Sequence, residues 1–201
     1  MDYSKFTVED FLSQLGSEKS SPGGGSGAAL TAATGAALLE MVARINRKRE
    51  IKKSGERGSR RTTERITEIK KIRQRQTSLI TLDAQAFSRL SQAFKEKKQG
   101  ATLEKALNHS ARVPLEICAL SEKALALGIL EIPRTSRWLV SDLKEAAYLL
   151  ETAFHAARLN VEINLKDRKD KKFTARTRRH LEALEKKTSA FKKEILRALN
   201  L

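Results

Sequence analysis

Between Gly27 and Leu39 the chain puts Gly27, Thr31, Gly35 and Leu39 at every fourth position and fills most of the remainder with Ala28, Ala29, Ala32, Ala33, Ala36 and Ala37. A helix built this way is small on nearly every side, so neighbouring backbones can approach it closely all round. Such a helix belongs in the middle of a bundle, not on its rim. Alanine and leucine are plentiful, aromatics are 5% and no run alternates like a strand, so the whole chain reads as helical.

The periodicities predict an all-α bundle of about five long helices with a short N-terminal helix and a Gly-rich turn. A short amphipathic helix is expected at Thr7–Leu15, with Val8, Phe11, Leu12 and Leu15 on one side. The turn Ser21-Pro22-Gly23-Gly24-Gly25-Ser26 follows, then the small-residue helix to about Lys48. Arg49–Arg61, with Gly55 and Gly58, reads as a mobile basic loop. A long helix over Thr63–Lys97 has the seam Ile69, Ile72, Gln76, Leu79, Asp83, Phe87, Leu90 and Phe94, and Gly100 breaks it. The next covers Thr102–Leu127, with Pro114 inside and Gly128 as its stop. Ser141-Asp142 reads as the start of another, whose inward residues include Ala146, Leu150, Ala153, Ala157, Val161 and Asn164. A basic helix over about 171–199 ends the chain. The length suits a single domain spanning 1–201.

Composition excludes several classes. Cys118 is the only cysteine, so no internal disulfide forms and a reducing, cytoplasmic setting is expected. Met1–Asp10 carries acids and no apolar core, unlike a secretory leader. The charge-free stretch Ser20–Leu39 contains the Gly turn, which leaves its apolar part short of the ~20 residues of a bilayer span, so no membrane is expected. His109, His155 and His180 are scattered and offer no metal-ligand spacing, so no metal is expected.

The formal charge is +16, and two segments hold all of it. Arg44–Arg75 has fourteen Lys/Arg against four acids, and Lys166–Leu201 has thirteen against five. These are either solvated helix faces or a surface for a polyanion, a nucleic acid among them. No zinc-finger spacing, aromatic-bearing strand motif or basic-region zipper accompanies the charge.

The informative residues break the pattern around them. Asp83 sits on an apolar seam, where a carboxylate is either paired with an arginine or forced toward its neutral form. Asn160 and Asn164 are neighbours on a largely apolar helix, as core amides or as ligand contacts. Asp142 is a helix cap or an acid. The glycines of the turn leave backbone N–H groups open to an anion or a planar ring, but the spacing is neither a P-loop nor a dinucleotide fingerprint.

These blocks, in this order over about Phe6–Phe173, resemble the cyclodeaminase/cyclohydrolase family of folate enzymes. The most specific block joins Phe11-Leu12, Ser21-Pro22-Gly23-Gly24-Gly25-Ser26, Ala28-Ala29-Leu30, Gly35-Ala36-Ala37-Leu38 and Met41-Val42-Ala43. Asp83 with Ala86-Phe87, Val113-Pro114-Leu115, Ser141-Asp142 with Ala146-Ala147, Asn160-Val161 and Ile163-Asn164-Leu165 supply the rest.

The resemblance implies a bundle, usually a homodimer, acting on 5,10-methenyltetrahydrofolate or 5-formiminotetrahydrofolate, with the tetrahydrofolate derivative as substrate and no metal. It implies Asp83, and after it Asp142, as the catalytic acids. It implies Ser21, Pro22, Gly23, Gly24, Gly25, Ser26, Asn160 and Asn164 around the substrate, and lysines or arginines for the folate's glutamate carboxylates. Two other functions remain at this point: a nucleic-acid-binding bundle without catalysis, and a folate-binding subunit without turnover.

Overall fold

A computed structural model describes residues 1–58, 60–166 and 168–199. It is an all-α bundle of six helices, α1 (Val8–Leu15), α2 (Gly24–Gly58), α3 (Arg60–Lys95), α4 (Gly100–Ile129), α5 (Val140–Leu165) and α6 (Lys171–Ala198), with no strand among the described residues. Short 3₁₀ turns lie at Tyr3–Lys5, Ile132–Arg134 and Arg137–Leu139. The five long helices and the short first one are those the periodicities predicted.

The small-residue helix α2 does sit centrally, between α3 and α5, while α4 and α6 close the other side. Ala29, Ala32 and Ala36 are fully buried. At Gly35 the helices approach closely: a Cβ there would lie 2.9 Å from Leu150 Cγ and 3.2 Å from the Ala146 carbonyl. Gly128 acts in the same way and does not stop α4 as expected. It is buried inside the helix, where a Cβ would meet Ile195 Cδ1 at 3.2 Å. By length and composition Gly24–Lys53 reaches the size of a membrane span, contrary to the sequence estimate, because the glycines join the helix; 56% of its most apolar window is buried in the bundle.

Three other expectations change. On α3 the seam keeps strict alternation of three and four, so Ala86 and Ala93 turn inward while Phe87 and Phe94 are 44% and 48% exposed. On α1 only Phe11 is buried, and Val8 and Leu12 face out. Among the described residues of the expected Arg49–Arg61 loop, the helix is interrupted at Gly55, with φ 70° and ψ 179°; Ser59 lies outside the described residues. Helix persists up to that point because Glu50 accepts from Thr62 Oγ1 at 2.6 Å and from Arg134 Nε at 2.5 Å. Beside it Glu131, fully buried, accepts from Arg65 Nε and Asn46 Nδ2, each at 2.9 Å. This ionic knot ties α2, α3 and the α4–α5 connector together at one end of the bundle.

Candidate active site

The other end holds a cavity of about 250 Å³. Gly23 to Gly25 form its rim, Asp83 and Phe87 come from α3, Ser110 from α4, and Asn160, Ile163 and Asn164 from α5. The Gly23 carbonyl accepts the first helical bond of α2, from the Gly27 N–H at 3.0 Å. Gly24, Gly25 and Ser26 are therefore the first turn of α2 and not a loop before it. Their N–H groups have no partner inside the helix, and the positive end of the helix dipole points the same way.

Asp83 lies against that turn. A Cβ on Gly25 would fall 2.5 Å from Asp83 Cγ and 2.6 Å from Oδ2, so only glycine leaves room for the carboxylate. Ser26 Oγ, completely buried, is 3.1 Å from Asp83 Oδ2 and 2.9 Å from the Ile80 carbonyl. Burial pushes the Asp83 carboxyl above the ordinary carboxylate range, and the Ser26 hydroxyl and backbone N–H pull it part of the way back. No basic side chain pairs with it among the described residues, and no other ionisable group lines the cavity. The arginine-paired alternative is therefore not what the structure shows.

The two amides are held by their nitrogens. Asn160 Nδ2 donates to the Ala156 carbonyl and Asn164 Nδ2 to the Ser110 carbonyl, each at 2.8 Å. That leaves the oxygens as acceptors for the cavity. Asn160 also lies across the mouth of α2, 3.6 Å from where a Gly24 Cβ would stand.

Thus Ser21, Gly23, Gly24, Gly25, Asp83, Asn160 and Asn164 meet at one cavity. Ser26 stands behind Asp83, and Pro22 is buried beside the rim without lining it. Asp142 does not join them. It lies in the first turn of α5 with no capping bond, eighteen residues before Asn160, or ~27 Å along the helix. The Arg137–Leu139 turn runs straight into α5 and starts it at Val140, ahead of the expected Ser141-Asp142 cap.

The basic Arg44–Arg75 segment also leads away. Arg65 is eighteen residues, ~27 Å, back along α3 from Asp83. Sequence reasoning missed Ser110, although it falls between Leu107 and Val113, both buried on α4. It missed Ser20, Ala84 and Ile163 as well, and Phe87 and Leu90, assigned to the core seam, line the cavity too.

One turn further along α3 and back along α4 a second hollow of about 340 Å³ opens, lined by Arg89, Lys98, Lys105 and His109 with Glu96. Among the described residues no group of three His, Cys, Asp or Glu could hold a metal ion.

Residues 7–183 match a family model described as formiminotransferase-cyclodeaminase. The chain is 35% identical over 196 residues to the formimidoyltransferase-cyclodeaminase of Sus scrofa, covering 91% of this chain and 35% of that protein. It thus spans about a third of the length of such relatives. It is 26% identical over 199 residues to the methenyltetrahydrofolate cyclohydrolase of Methylorubrum extorquens, covering 94% and 93% of the two chains. The crystal structure of formiminotetrahydrofolate cyclodeaminase from Thermotoga maritima superposes with a TM-score of 0.88 at 26% identity, over 97% of this chain and 96% of that one.

Proposed function

Because this chain belongs to the formiminotransferase-cyclodeaminase family, we propose that its cavity binds a tetrahydrofolate carrying a one-carbon unit and that Asp83 moves the protons of its conversion. The observation that carries this reading is the position of Asp83: one carboxyl, half-buried, against the open first turn of a helix, with no counter-ion among the described residues.

Two reactions suit that carboxyl. In hydrolysis of the 5,10-methenyl form, water adds to the bridging carbon while ionised Asp83 accepts its proton. The acid then returns that proton to the nitrogen that leaves as the ring opens, and the remaining hydroxyl proton passes to solvent as the carbonyl of the formyl group forms. In cyclodeamination of the 5-formimino form, N10 attacks the formimino carbon and gives its proton to Asp83. The acid then protonates the departing amino group, which leaves as ammonia. Both routes begin from a carboxylate beside a cationic amidine and end with that carboxylate restored, so a site without other charges favours them.

The acceptor oxygens of Asn160 and Asn164 suit the N–H edge of a pterin ring. The glycine rim lets that ring lie against backbone. The glutamate carboxylates of the folate reach the adjoining hollow, where Arg89, Lys98 and Lys105 stand. The Arg44–Arg65 part of the basic segment, ~27 Å or more away along α2 and α3, takes no part. A homodimer would cover the exposed apolar residues Met41 and Ile45 on α2 and Tyr148 and Leu159 on α5.

The test follows methenyl absorbance. Purified protein should accelerate loss of 5,10-methenyltetrahydrofolate or its formation from 5-formiminotetrahydrofolate, and Asp83→Ala should remove the acceleration. No acceleration with either substrate, or full activity in the variant, refutes the proposal.

A further inference from the structure

Ser26 has two acceptors and one proton. Its Oγ lies 2.9 Å from the Ile80 carbonyl and 3.1 Å from Asp83 Oδ2, and the residue is wholly buried. A hydroxyl cannot donate to both at once. When Asp83 is protonated, its O–H donates to Ser26 Oγ and Ser26 donates to Ile80. When Asp83 is ionised, the Ser26 proton turns to Oδ2. The Ile80 carbonyl is not orphaned by that turn, since it lies within α3 and keeps the helical bond from Ala84.

We propose that Ser26 is a positioning residue whose hydroxyl takes two settings, holding Asp83 against the α2 turn in both of its protonation states. Only hydrogen bonds exchange: the Ser26 proton stays on Oγ, and the proton that Asp83 gains is the one it returns. The backbone N–H of Ser26, which also donates to Asp83, fixes the carboxylate from the same residue. The family resemblance implies Ser26 beside the substrate; its burial behind Asp83 assigns it to the acid instead.

The surroundings leave Ser26 little competition. Gly23 before α2, Gly24 and Gly25 in its first turn, Ser110 of α4 and Asn160, Ile163 and Asn164 of α5 share the cavity with Asp83, none of them charged. The N-terminal 3₁₀ turn brings Asp2 to Thr81 Oγ1 at 3.0 Å, two residues before Asp83. Arg89, Lys105 and His109 belong to the adjoining hollow.

The catalytic consequence rests on the folate reading above; the two-setting hydroxyl does not. Two readouts keep them apart, on the wild type, Ser26→Ala and Ser26→Thr. The first is the titration of the Asp83 carboxyl in ligand-free protein by ¹³C NMR, assigned with Asp83→Asn. The second is the pH profile of kcat and KM. Ser26→Ala should move the Asp83 titration to higher pH, because the ionised form loses a donor, and lower kcat by ~10- to 100-fold with KM little changed. Ser26→Thr, which keeps the hydroxyl, should restore the wild-type titration. A titration unmoved in Ser26→Ala overturns the proposal whatever the rate does. A moved titration in a protein that turns over neither folate sustains the proposal and removes the folate reading.

Discussion

Gly25→Ala separates the stability of the fold from the placement of the acid. Gly25 lies in the first turn of α2 with no positive φ, so alanine fits the backbone there and should stabilise the helix by ~0.5–1 kcal/mol. The new Cβ, however, falls 2.5 Å from Asp83 Cγ. Ordinary carbon contacts are ~3.5–4.0 Å, so the carboxyl must retreat by ~1 Å or more. It can do so by swinging into the cavity, which spares most of the ~1–3 kcal/mol that overpacking costs in a closed core.

The two contributions oppose each other and leave stability within ~1 kcal/mol of wild type, a Tm shift of ~2–4 °C at most for a chain of this size. Turnover has no such offset. A displacement of ~1 Å at a reacting group costs ~100-fold, or ~2.7 kcal/mol in the barrier. Gly24→Ala is the control, because its Cβ would meet Asn160 only at ordinary distances of 3.6 and 3.7 Å. Thermal melts and the methenyl absorbance assay on both variants are sufficient. Wild-type turnover in Gly25→Ala, or an equal loss in Gly24→Ala, would show that the closeness of Asp83 to the turn has no part in the chemistry.

Asp83→Asn should abolish turnover without lowering Tm at pH 7. The folded-state pKa of Asp83 is raised, so its contribution to stability is fully present below the unfolded value and is lost as pH rises through the folded one. Any advantage of the asparagine at pH 7 should therefore shrink on acidification, and a variant much less stable than wild type at pH 7 contradicts the burial argument. Glu131→Gln should do the reverse. It leaves Arg65 beside a neutral amide and opposes a new donor to Asn46 or Arg65, at ~3–5 kcal/mol for a broken buried pair. Chemical denaturation should record that loss. The kcat of the remaining folded protein should not change, since Asn46 is twenty-one residues, ~31 Å, along α2 from Gly25.

What was legible in the chain depended on range. The seam of α3 and the central place of α2 follow from local spacing, and Asp83 stood out because a carboxylate interrupts an apolar ladder. Phe87 and Phe94 were misplaced for a related reason: at equal spacing the eye prefers a ring to the alanine beside it, yet the alternation of three and four carries the seam through Ala86 and Ala93 and leaves the rings half exposed. The Arg49–Arg61 segment looked like a loop because its helix is sustained by distant partners. Arg134, eighty-four positions away, is bonded to Glu50, and no local pattern contains that pairing. Asp142 failed similarly, since which end of α5 meets the glycine turn depends on the antiparallel packing of α2 against it.

That packing also explains why the small residues of α2 and the candidate site belong to one device. Gly35 meets α5 at Leu150 and Ala146, and Gly24 meets it at Asn160. Eleven residues back along α2 correspond to ten forward from Leu150 along α5, so the two helices remain in register at ~1.5 Å per residue over the whole interval. A bulkier residue at Gly35 would force the helices apart and, by the same lever, carry Asn160 from the rim. With the cavity walls uncharged, the proton affinity of Asp83 then depends on few things: its burial, the open end of α2 and Ser26. All three are fixed by how deeply the first turn of α2 is seated. The acid is therefore tuned by helix packing and not by a neighbouring charge, and changes in the glycine and alanine ladder should register in its titration before they register in the fold.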